Sequence, residues 1–206
     1  MPSTAPAPSN ALATTTALVV QQQKEWGEIL VGWETKNRYV VSTEDGTSLY
    51  QAGEVGTGWL SRNFLKNKRP FTIEIRDSAG ELAYKLLRPW RWFFSGASVL
   101  DSSEQVIATI EQRFKIVSRL YSIYGSDGTE IAQLRGPFFK PWTFQLLVDG
   151  VEVGSIKKKW SGLLKEAFTD ADNFRVELGS SMAPSLRAVM LATTFFIDFL
   201  HFENRQ

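Results

Sequence analysis

The chain has no cysteine and only one histidine, His201. Without thiols there is no disulfide, no thiolate nucleophile, no zinc–thiolate centre and no S-acylated lipid anchor. A single imidazole excludes His-based metal clusters and Ser-His-Asp chemistry. His201 stands at the end of an apolar run, where the C-terminal carbonyls of a helix favour it. Net charge is nearly missing too: 23 Lys and Arg against 22 Asp and Glu leave +1. No global field draws such a chain to nucleic acid, so any basic patch is local. No stretch has the form of a nucleotide loop, a catalytic dyad or a cofactor motif, so covalent catalysis is not expected.

A full-length membrane span is lacking as well. The longest apolar run is Ser185–Phe202, SLRAVMLATTFFIDFLHF. Pro184 precedes it, where a missing N–H costs nothing, and Ser181 and Ser185 are candidate N-caps. Arg187 and Asp198 bound an uninterrupted apolar segment of about three turns, roughly 15 Å. A bilayer core of ~30 Å needs ~20 apolar residues, and a carboxylate near its centre costs at least ~2.5 kcal/mol. Apolar residues nevertheless cover every face of this helix, so it belongs at the centre of a fold, with bilayer insertion as the alternative.

At 206 residues the chain has the length of one domain with a tail. Residues 1–16, rich in Pro, Ala, Thr and Ser, read as a disordered tail without the basic and apolar regions of a signal peptide. A PxxP ligand at Pro2–Pro8 is conceivable but unspecific. Residues 17–206 form the domain. From Ala17 onward, short β-like runs alternate with turn signals at Asp45-Gly46, Asp77–Gly80, Asp101-Ser102, Asp127-Gly128 and Asp149-Gly150. Asp-Gly between alternating apolar runs marks a hairpin, and the spacing predicts roughly ten to twelve strands. A sheet that long closes to remove its edges, and a barrel of about twelve strands is too wide for side chains alone to fill. The expected fold is therefore mainly β: a closed antiparallel barrel around the hydrophobic C-terminal helix. A further helix is expected over Trp160–Phe168, from apolar residues at i, i+3, i+4, i+7 and i+8, and a strand over Asn173–Leu178.

Several segments carry a family resemblance. Val153–Phe174 (VGSIKKKWSGLLKEAFTDADNF) and Ala188–Glu203 (AVMLATTFFIDFLHFE) resemble the C-terminal part of the phospholipid scramblases. Val19–Val41 (VVQQQKEWGEILVGWETKNRYVV) and Arg69–Gly80 (RPFTIEIRDSAG) resemble that family's earlier segments. The likeness runs in order through nearly all of Ala17–Glu203. It implies a Tubby-like barrel threaded by the C-terminal helix, and movement of phospholipids between leaflets in response to calcium. It implies membrane phospholipids as partners. It also implies a place on the cytoplasmic side of a membrane or in the cytoplasm, with nuclear entry for some members. The family's acylated cysteine clusters are replaced here by loops of aromatic and basic residues, and the partners that bind the Pro-rich N-terminal regions of some members are not implied for the short segment here.

The resemblance also points to site residues. The family's calcium loop begins at the position of Asp170, so calcium ligands carry over to Asp170 and Asp172, and less surely to oxygens near Phe174, Val176 and Leu178. The final acidic position falls on Ser181. Position 5 is Phe174 and position 6 Arg175, where an EF-hand needs an oxygen donor and Gly, so affinity is expected in the range of ~10⁻⁴–10⁻³ M. The alternative is that both Asp side chains stabilise a turn. Lys157, Lys158 and Lys159 match the segment linked to nuclear import; facing a membrane, each adds ~1 kcal/mol toward anionic lipid, and otherwise they are a solvated surface. Trp90, Arg91, Trp92 and Phe93, with Arg88, are the leading lipid-contact candidates, in a set of loop aromatics that includes Trp59, Phe64, Phe94, Phe138 and Phe139. Core packing is the alternative for those aromatics and the favoured reading for Trp142. A scramblase-like lipid-handling protein therefore competes with a Tubby-like interaction module that moves no lipid.

Overall fold

The computed structural model describes residues 8–23, 36–56, 70–90, 95–114, 118–140, 142–159 and 173–201. In chain order the elements are α1 (Pro8–Thr14), β1 (Ala17–Gln23), β2 (Lys36–Thr43), β3 (Ser48–Val55), β4 (Phe71–Asp77), β5 (Leu82–Arg88) and β6 (Gly96–Asp101). They continue with β7 (Val106–Arg113), β8 (Ser118–Gly125), β9 (Glu130–Pro137), β10 (Thr143–Val148), β11 (Val151–Lys159), β12 (Asn173–Leu178) and α2 (Pro184–His201). Each strand pairs antiparallel with its chain neighbour, and β1 closes the ring on β12, Leu18 opposite Val176 and Val20 opposite Phe174. The strand expected over Asn173–Leu178 is β12; the helix expected over Trp160–Phe168 lies outside the described residues.

The two-residue alternation decides which way the wall faces. In β4, Phe71, Ile73 and Ile75 are buried inward while Thr72, Glu74 and Arg76 alternate outward. β12 repeats the pattern with Phe174, Val176 and Leu178 inside. The outer wall carries ion pairs, Arg76 to Glu74 at 2.7 Å and Arg175 to Glu177 at 2.9 Å. A barrel that spans a membrane shows the reverse, apolar outside and polar within, so this wall suits water.

Helix α2 fills the barrel, as its all-round apolarity requires: every residue from Leu186 to Phe199 is buried. Rings from the wall meet rings from the helix, Tyr39 on Phe195 with centroids 5.0 Å apart, Phe71 on Phe199 at 4.4 Å and Tyr121 on Phe196 at 5.8 Å. Such tilted and edge-on pairs add to the burial term. Two of the helix's buried polar groups are satisfied locally: Thr193 and Thr194 donate back to the carbonyls of Val189 and Met190 at 2.6 and 3.0 Å. Among the described residues no helix is long and apolar enough to cross a membrane.

The reading of residues 1–16 as a disordered tail needs correction for its second half. Pro8–Thr14 is helical, and Leu12 is buried in the main core. The physical reason is a tertiary contact with no local signature. Buried Arg187 of α2 donates to the carbonyls of Leu12 and Thr15 just where α1 ends, and to Met182 and Gly179 at 3.0 and 2.8 Å. One guanidinium thereby occupies the open carbonyls of a helix end and a turn. Residues 1–7 lie outside the described residues.

Candidate functional site

Strand direction sorts the connections onto two rims. At one end sit the tight hairpin turns. Asp45, Asp77, Asp101 and Asp127 each accept backbone N–H bonds inside their own turn, from Thr47 (3.1 Å), Ala79 (2.9 Å), Ser103 (2.8 Å) and Thr129 (2.9 Å). Gly46, Gly80 and Gly128 adopt positive φ there, whereas the equivalent place in the third turn is Glu104 at φ 60°. Asp149 and Gly150, both at positive φ, make the two-residue turn that Asp-Gly favours. Helix α1 and the start of α2 share this turn end.

At the other end lie the connections that follow β1, β3, β5, β7, β9 and β11, all longer than the hairpin turns except the four residues after β7. Three of them begin with described aromatics. Trp90, after β5, is 40% exposed; Phe114, after β7, 76%; and Phe138 and Phe139, after β9, 74% and 81%. The Phe138-Phe139 turn is held by backbone bonds from Lys140 to Pro137 and from Thr143 to Lys140, both 3.1 Å. Beneath it the packing is close. A Cβ on Gly136 would stand 2.6 Å from the Phe144 ring, and the Arg119 guanidinium lies 4.5 Å from that ring's centroid. The other end of α2 is fastened here. Tyr39 donates to Asp198 at 2.6 Å, and the Tyr121 hydroxyl meets His201 Nε2 at 2.6 Å. Burial pushes the Tyr121 hydroxyl far above its ordinary range, so it keeps its proton.

The candidate residues fall in different places. Arg88 is only 3% exposed; it donates to Ser95 Oγ at 2.9 Å and covers the Phe71 ring at 5.5 Å. It braces the interior, because its inward register and the Phe71 ring beside it carry the guanidinium under the rim, and it leaves the lipid-contact set. Trp90 is exposed on the rim, while Arg91, Trp92 and Phe93, like Trp59, Phe64 and Phe94, lie outside the described residues.

The lysine run divides between the two faces of β11. Lys157 is outside, paired with Glu177 at 2.8 Å, and that bond together with the one from Ser155 holds the Glu177 carboxyl below its ordinary range. Lys158 faces the barrel mouth, 5.6 Å from the Trp142 ring centroid and 5.8 Å from that of Phe174. The Lys159 backbone pairs with Asn173, and its side chain lies outside the described part. Trp142 packs against the core, partly buried.

Asp170 and Asp172 also lie outside the described residues. The strand directly after them limits how far the inherited ligand set extends. Asn173–Leu178 is paired on both edges, with β1 and β11, so the carbonyls near Phe174, Val176 and Leu178 belong to the ladders. At ~3.3 Å per residue that strand carries the chain about 20 Å, from the loop end to the turn end. Ser181 lies in the turn beyond it. Oxygens from Asn173 to Ser181 therefore do not converge on one ion, so Ser181 drops out of the ligand set that the resemblance implied. Sequence reasoning could not see this, because a ligand pattern at loop spacing and a strand of alternating polarity overlay the same residues.

A polar-walled barrel closed around an apolar C-terminal helix defines a Tubby-like architecture. It is similar to an Arabidopsis thaliana protein solved by X-ray crystallography, with a TM-score of 0.51 and 11% identity over 89% of this chain and 93% of that one. The Scramblase family model matches residues 1–204, and the chain belongs to that family. Relatives include human phospholipid scramblase 1, 29% identical over 91% of this chain and 63% of that protein. Mouse phospholipid scramblase 1 is 31% identical over 94% and 63%, and bovine phospholipid scramblase 2 is 30% identical over 90% and 68%. The chain thus spans a little under two thirds of the length of the scramblase 1 proteins.

Proposed function

We propose that the protein binds membrane phospholipid and promotes its movement between leaflets, as a scramblase whose residues here offer no cysteine for S-acylation, and without covalent catalysis. The observation that carries this reading is the family match across residues 1–204. The geometry adds a constraint. The barrel interior is filled by α2 from Leu186 to Phe199, so no head group passes through it, and lipid is met at the loop end with Trp90 on its rim. Arg91, Trp92 and Phe93, next to Trp90 in the chain, and Lys157–Lys159, at the end of β11, complete the candidate lipid set. Calcium, in this reading, acts weakly through Asp170 and Asp172. The association is peripheral, on the cytoplasmic side. The filled interior and charged wall also suit the second reading, an interaction module that binds without transport.

Proteoliposomes with a fluorescent lipid quenched by dithionite separate the two. Loss of signal beyond the outer-leaflet half, rising with millimolar calcium and blunted in an Asp170→Ala, Asp172→Ala variant, supports transport. Protein that floats with vesicles yet leaves the inner leaflet protected supports the binding module.

A further inference from the structure

We infer that the barrel docks end-on to an anionic bilayer, with Phe114, Phe138 and Phe139 as the inserted groups and the acidic turn end held away from the surface. The inference rests on the lipid-handling reading above and adds to it an orientation and a set of contact residues. Three observations carry it.

The first is exposure at one place. Phe114 and Phe138 follow directly on Arg113 and Pro137, which pair with Leu120 and Ser118 near the start of β8. The two connections therefore flank one strand, about two strand spacings or ~10 Å apart. Most phenylalanines among the described residues are buried in the core, yet these three are among the most exposed apolar side chains. Each lies within a residue or two of a strand ladder, so the rings are presented by fixed backbone and lose little freedom on insertion.

The second is charge. Arg113, Arg135 and Lys140 are exposed beside these rings, suited to lipid phosphates at the depth where aromatic groups enter the interface. The third is the opposite rim, where Asp45, Asp77, Asp101, Asp127 and Asp149 sit in consecutive hairpin turns. An anionic surface attracts one end of the barrel and repels the other, which sets the approach although the net charge is only +1. Separate projecting rings with cations between them match a fluid interface better than a protein partner, which needs a continuous complementary patch.

The test uses the full chain and vesicles of phosphatidylcholine with or without phosphatidylserine. Wild type should sediment with the anionic vesicles, less so with neutral ones. Phe114→Ser, Phe138→Ser and Phe139→Ser together should weaken binding at least about tenfold at an unchanged melting temperature. Phe139→Ser alone should show part of the loss, and Val151→Ser, at the turn end, none. Because the chain has no cysteine, Phe139→Cys or Asp127→Cys accepts one polarity-sensitive fluorophore. Vesicles should shift the first to the blue and leave the second as in buffer. Undiminished binding by the triple variant, or equal shifts at both positions, overturns the docking geometry while leaving lipid binding intact. Wild type that binds no vesicle overturns both.

Discussion

The two rims of the barrel are made from the same strands and solve different problems. At the turn end the hairpins close on themselves: in four of them an Asp accepts from the backbone two residues on, and a glycine supplies the positive φ except in the third turn, where Glu104 does. Its contacts are local, acidic and repeated. At the loop end most connections are longer and carry exposed rings, over a floor set by long-range packing of Gly136, Phe144 and Arg119. The difference teaches that register and closure are secured at one rim, which frees the other to vary. Helix α2 joins them, fastened by Arg187 at the turn end and by Asp198 and His201 at the loop end.

The sharpest break removes what the ends share. Phe196→Ala empties the middle of the barrel and should cost ~3–5 kcal/mol in denaturant unfolding, loosening both rims together. Arg187→Ala acts on the turn end only. It frees the carbonyls at the end of α1 and in the turn after β12, and should cost ~2–3 kcal/mol. Cleavage by protease at residues 8–16 should then outpace cleavage at Phe138-Phe139; equal rates would contradict the clamp.

Acid sharpens the same contrast. Hydrogen bonds from Thr43 and Thr47 hold the Asp45 carboxyl below its ordinary 3.8, and those from Thr129 hold Asp127 below 3.8. Glu177 is held below 4.5, first by Lys157. A carboxylate with a lowered folded-state value stabilises above its unfolded value and loses that contribution as pH falls through the folded one. Melting temperature should therefore drop below about pH 4.5. Amide exchange at Thr47 and Thr129 should accelerate before that of the β8 core, and Asp45→Asn with Asp127→Asn should flatten the decline.

Smaller effects probe single positions. Glu104 stands at positive φ in a turn whose counterparts use glycine, and it pairs with Lys85. Glu104→Gly relieves the backbone and removes an exposed ion pair, for a net gain of under ~1 kcal/mol. A clear loss would mean the pair outweighs the strain. Ser181→Asp should leave calcium affinity unchanged by titration calorimetry, since β12 separates it from Asp170 and Asp172. Tighter binding would restore the inherited ligand set.

Much of this architecture was legible in local pattern. Phe71–Ile75 and Asn173–Leu178 alternate because one face of a strand is buried, and Asp149-Gly150 marks its hairpin because positive φ is cheap there. The apolarity of Val189–Ile197 on every face announced a helix surrounded by structure. The site was less legible. Arg88 has the same composition-level signature as a surface cation, and only its inward register shows that it covers Phe71. Lys157 and Lys158 are neighbours in a charge run, yet the strand sends them to opposite faces.

The chain by itself determined periodicity, turn chemistry and the absence of thiols, since each depends on residues a few positions apart. It thereby determined a closed barrel, its central helix and the absence of any S-acylated cysteine from these residues. Only the tertiary structure decided that Pro8–Thr14 is held as a helix, because Arg187 reaches Leu12 and Thr15 from the far end of the sequence. It also decided that Asn173 and Ser181 belong to opposite ends and that Phe114 and Phe138 share one. Those are consequences of strand direction and closure, long-range relations that no local window of sequence contains.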